Sequence, residues 1–166
     1  MLLRSGAILQ KLTLRDIPSR VAVSFIESHP TIAELTICGS FSKHTYSGRF
    51  GALISCLTPV TQTHQGSNTL NVIAPSMAIL NLELVVEQGT VPSPMLVFVE
   101  DVCALVENRA LTPLGSNIAR LSFVKVQPGL RSRGYSIRNI FPAIHNRLAP
   151  LQEASGLVLK FLPPKV

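Results

Sequence analysis

Apolar residues recur mostly at every second position along this chain, which predicts strands rather than helices. Val21, Val23 and Phe25 share one side of an extended segment over 20–27, and Ile32, Leu35 and Ile37 follow in a second run that ends at Gly39. Ser28-His29-Pro30 between them reads as a hairpin turn. Residues 39–48 are polar, 50–57 suit a buried strand or a short helix stopped at Pro59, and 58–68 is the longest polar connector.

The middle of the chain carries the same signal. Leu70, Val72 and Ala74 alternate before Pro75, and Met77, Ile79, Leu82, Leu84 and Val86 form a long half-buried stretch. Leu96–Val99 reads as a short strand between Pro94 and a helical turn or two over 100–109 with Val102, Leu105 and Val106 inward. Residues 118–126 are apolar on both sides, as in an interior strand, and 156–162 form a last strand before Pro163-Pro164. One amphipathic helix stands out over 135–148, with Ile137, Ile140, Phe141, Ile144 and Leu148 three and four apart. Pro142 divides it into two short helices or marks a first turn.

The expected fold is therefore mainly β or α+β. A single domain over 1–166 holds a mostly antiparallel sheet or a sandwich with one or two short helices, without a tandem repeat or a βαβ rhythm. The 166 residues suit one core, and no run approaches the roughly 20 apolar residues of a membrane-spanning helix. Cys38, Cys56 and Cys103 are odd in number and far apart, which fits a reducing compartment, and the absence of a secretory h-region makes the cytoplasm the expected location.

Charge changes this picture. The chain carries 15 Lys and Arg against 9 Asp and Glu. Residues 1–109 are nearly balanced, whereas the 110–166 third of the same domain has Glu153 as its single acid against eight basic groups. Such a division steers a protein toward phosphate, lipid headgroups or an acidic partner.

Candidate chemistry is weak by comparison. Cys38, His44, Cys56 and His64 match no zinc-site spacing, so no metal or cofactor is expected. No nucleophile elbow or phosphate-binding glycine loop is present, and an enzymatic reading would rest on a pocket near Asp101. Binding has the better constellation: Lys125, Arg131, Arg133, Arg138 and Arg147, with Tyr135 beside the loop 127–135, supply fork-shaped donors for phosphate ahead of a helix start. Leu157, Leu159, Phe161 and Leu162 offer a C-terminal strand for self-association.

The reading is thus a non-enzymatic structural or interaction protein. It forms a homo-oligomer and contacts an anionic polymer or surface through its basic third, by fold-level analogy a viral matrix or coat-like subunit. RNA, an anionic membrane surface and an acidic protein are the candidate partners, with a dedicated RNA-backbone binder and a small enzyme as alternatives.

Overall fold

A computed structural model of the chain describes residues 8–41, 51–64, 67–86, 92–128 and 135–162. Helix and strand alternate along it. β1 (Lys11–Arg15) leads through α1 (Ser19–Glu27) to β2 (Glu34–Phe41), and α2 (Gly51–Leu57) and the hairpin of β3 (Val60–His64) and β4 (Ser67–Asn71) precede β5 (Ile79–Val86). Then α3 (Pro92–Ala110) leads to β6 (Phe123–Pro128), and α4 (Tyr135–Ser155) to β7 (Val158–Phe161). Strands β1, β2, β5, β6 and β7 form one sheet in that order, every pair parallel.

This overturns the expected antiparallel sheet or sandwich. The chain is α/β, with a five-stranded all-parallel sheet and four helices among the described residues. The error began at the helices. Residues 20–27 carry a two-residue apolar alternation, yet they form α1, which buries Ser19, Ala22 and Ile26 at helical spacing and leaves Val21 exposed. Pro18 stands at the N-cap, where its missing N–H costs nothing and its carbonyl accepts from Val21 N at 3.0 Å and Ala22 N at 3.1 Å.

The expected strand at 96–99 and the helical turn after it are one helix, α3, of 19 residues. Pro92 and Pro94 lie in its first turn, and Phe98, Val99, Val102, Cys103, Leu105, Val106 and Ala110 are buried along it. A helix that wide in apolar surface, and rich in valine, resembles a buried strand when read by alternation alone. Likewise α4 runs as one helix of 21 residues through Pro142 and Pro150, rather than breaking at the first.

Each parallel pair then needs a crossover, and the helices provide it. The carbonyl of Gln10 accepts from the amides of Ala33 and Glu34, that of Ala33 from Ala78 and Ile79, that of Ala78 from Ser122 and Phe123, and that of Ser122 from Val158. The residue before each strand is thus stacked on its equivalent in the next unit. An apolar-x-x-apolar-x-apolar pattern accompanies the stack at Leu9-Leu12-Leu14, Ile32-Leu35-Ile37, Met77-Leu80-Leu82 and Leu121-Val124-Val126. The βαβ rhythm and an irregular internal repeat are therefore both present. Unequal insertions, the β3–β4 hairpin among them, hide the repeat from a search at constant period.

These pattern residues build the core. Leu14, Leu35, Ile37, Leu80, Leu82, Leu84, Val124 and Val126 are buried with the helix residues in one cluster, against which Leu12, Leu159 and Phe161 also pack. Each fully buried Leu or Ile contributes roughly 1.5–3 kcal/mol. All of them project from one side of the sheet, so the helices cover that side and the alternate residues occupy the other.

Arg109 pins the longest insertion. Its side chain, at the end of α3, is 0% exposed and donates from Nε to Leu57 O at 2.9 Å, from Nη1 to Ala74 O at 3.1 Å and Met77 O at 3.4 Å, and from Nη2 to Ile73 O at 2.9 Å. Leu57 is the last residue of α2, where the helix dipole favours a cation. Ala74 holds a left-handed φ of 53°, a conformation an alanine adopts only at a cost.

Candidate functional site

The side of the sheet away from the helices is polar and only partly buried. The strand registers arrange it in rows. Lys11, Glu34, Ile79, Phe123 and Val158 make the first, Thr13, Thr36, Asn81, Lys125 and Lys160 the second, and Arg15, Cys38, Glu83 and Gln127 the third. Cys38 and Gln127 are buried, and the rest are half-buried or exposed. Parallel sheets are ordinarily covered on both faces, so a polar open face is the unusual feature of this fold.

Two halves of the face differ in electrostatics. On the β1–β2–β5 side, Lys11 Nζ meets Glu34 Oε2 at 2.8 Å, and Asn81 Nδ2 donates to Glu34 Oε1 at 3.3 Å and Thr36 Oγ1 at 3.2 Å. The Cys38 thiol faces Glu83 Oε2 at 3.8 Å. On the β6–β7 side, Lys125 and Lys160 are register partners, and among the described residues neither is ion-paired. Two like charges on adjacent strands, about 4.8 Å apart at the backbone, repel each other unless an anion meets them.

The sequence-derived phosphate cluster is divided by the fold. Lys125 stands on the open face. Arg147 lies elsewhere, on α4, where its Nε donates to Glu107 Oε1 at 2.8 Å and its Nη1 to Glu100 across the α3–α4 interface. Those two carboxylates raise its pKa and neutralise its charge locally. Tyr135 and Arg138 fall in the first turns of α4, and Arg131 and Arg133 lie outside the described residues. Lys160 was missed because no sequence signal brings β7 beside β6; the register does.

The proposed self-association residues are mostly turned inward. Leu157 is in the core, Leu159 and Phe161 pack against it, and Leu162 is half-buried, its amide donating to Val126 O at 3.1 Å. The C-terminal strand therefore pairs within its own chain.

Groups for catalysis are spread apart. Asp101 is half-buried on α3 beside the start of α2, its Oδ2 4.0 Å from where a Cβ on Gly51 would stand. Burial pushes the Cys103 thiol up to about 11, against thiolate formation at neutral pH. His29 stacks on Phe25 with ring centroids 4.4 Å apart and donates Nδ1 to the Phe25 carbonyl, while His145 lies edge-on to Phe161. Among the described residues no group of three or more His, Cys, Asp or Glu is placed to hold a metal ion. Nor, among them, is any helix long and apolar enough to cross a membrane.

Compared with known proteins, the chain matches no family, no curated protein and no solved structure.

Proposed function

We propose that this is a non-enzymatic interaction protein that receives an anionic macromolecule on the open face of its sheet. One observation carries the reading: among the described residues the polar face of the all-parallel sheet is half-buried or exposed at all but Cys38 and Gln127, and it holds two adjacent cations without carboxylate partners. The sheet backbone fixes where those two side chains start, and each lysine gives up side-chain freedom when a partner binds. The basic third of the sequence contributes through Lys125 and Lys160, while Arg147 serves the helix layer. The coat-like analogy drew on a strand-rich body with a C-terminal strand free to pair with a neighbour, whereas β7 here pairs with β6 of its own chain.

The test is binding of the full chain to poly-L-glutamate, single-stranded RNA and anionic phosphatidylserine vesicles at low salt. Thr13→Glu with Thr36→Glu adds negative charge to the open face, and Ser24→Glu with Asn108→Glu adds the same charge to exposed helix positions. Binding to at least one polyanion, lost in the first variant and kept in the second, is expected. Binding to none, or equal loss in both variants, overturns the assignment.

A second reading, self-association, has one observation in its favour: β7 is a sheet edge and its Val158 is 53% exposed. Native mass measured over a range of concentrations tests it, and a monomer throughout removes it.

A further inference from the structure

The geometry points to an acidic polypeptide segment, with apolar residues among its carboxylates, as the occupant of the β6–β7 end of the open face. This rests on the interaction reading above and names the partner for it.

Lys125 and Lys160 stand side by side in the second row, and Phe123 and Val158 stand side by side in the first row on the same face. Each apolar residue precedes its lysine by two positions, about 6.6 Å along the strand. The site is therefore a cationic pair next to an apolar pair. Val158 is exposed and Phe123 half-buried, so both present surface that remains wet until something covers it. In an extended peptide the side chains of one face also recur every second residue, which matches an acidic and an aliphatic group to this spacing.

The rest of the face carries both signs, Lys11 and Arg15 against Glu34 and Glu83. Glu34 and Glu83 lie on the two strands next toward β1, Glu34 in the row of Phe123 and Glu83 in the row of Gln127. Glu34 is already paired with Lys11 at 2.8 Å, so the choice of partner falls on the apolar pair: a nucleic-acid backbone has no aliphatic side chain to set on Phe123 and Val158, whereas a peptide does. Asn81, held between Glu34 and Thr36, and the two threonines of its row give a peptide crossing the sheet neutral hydrogen-bonding groups.

The test uses the full chain and three probes of matched length: a mixed glutamate–leucine peptide, poly-L-glutamate and oligouridylate. The mixed peptide should bind most tightly, and Lys125→Glu with Lys160→Glu should weaken it about tenfold or more. Val158→Asp should remove its advantage over poly-L-glutamate. Because charge reversal can disturb a strand, Lys125→Gln with Lys160→Gln provides a milder version, and far-ultraviolet circular dichroism checks that each variant folds. Unchanged peptide affinity in folded Gln and Glu variants overturns the proposal, as does tighter binding of oligouridylate. In that last case the open face still binds an anion and the interaction reading survives; binding of no probe removes both.

Discussion

Arg147 of α4 donates Nε to the Glu107 carboxylate of α3 at 2.8 Å, so this arginine of the basic third joins two helices instead of facing an anion. Its second arm reaches Glu100 on the same helix, one side of a small network partly open to water. Exposed pairs of this kind contribute roughly 0.2–1 kcal/mol. Arg147→Gln should therefore lower stability by no more than about that amount in urea unfolding. Polyanion affinity should be unchanged, and a loss as large as that of the Lys125 and Lys160 variant would put Arg147 in the binding surface.

Arg109 presents the opposite case. Burial lowers its pKa to about 10, and it spends its donors on four backbone carbonyls from three parts of one insertion. Arg109→Met removes every one of those bonds and leaves the acceptors buried, which predicts a loss of about 3–5 kcal/mol by chemical denaturation. Arg109→Lys keeps the charge but not the fork, so it should recover only part of that stability.

A one-sided sheet separates two kinds of substitution. Leu80→Ala opens a cavity under the central strand β5 and should cost about 2–5 kcal/mol. Thr13→Val, on an exposed position of the other face, should shift stability by no more than about 0.5 kcal/mol. Equal costs at both sites would mean that the second face is also core.

The three thiols should react in a defined order. Cys56 is exposed, whereas Cys38 and Cys103 are buried. Iodoacetamide at mildly alkaline pH should alkylate Cys56 first, with Cys103 protected until unfolding, as read by mass spectrometry of the digested protein.

Stability should also fall at alkaline pH through Cys103. Burial pushes its thiol up to about 11 in the folded chain against an ordinary 9.0, so the native state holds a proton that the unfolded chain releases earlier. The resulting stabilisation is fully present below pH 9 and is lost as pH rises toward 11. Cys103→Ala should flatten that part of a Tm-against-pH curve.

Strand positions were the most legible part of the fold. The alternation over 77–86 and the run 156–162 correspond to β5 and β7, because a half-buried strand must alternate whatever its neighbours are, while the stretch 118–126, expected to be apolar on both sides, overlaps β6 only from Phe123 and has Lys125 on the open face. Helices α1 and α3 were illegible for a related reason. Val21, Val23 and Phe25 satisfy a two-residue period while Ser19, Ala22 and Ile26 satisfy a helical one, and only packing selects between them. The candidate site was legible at Lys125 alone.

By itself the sequence determined where several core strands would lie, through apolar residues at every second position, and that basic groups would concentrate after residue 110. Tertiary structure alone decided that the strands run parallel in chain order, because alternation specifies a face and never a neighbour. It also decided that Lys125 and Lys160 would become partners while Arg147 would be neutralised. Charge interactions depend on distance through space, and the crossover helices set that distance where chain separation does not.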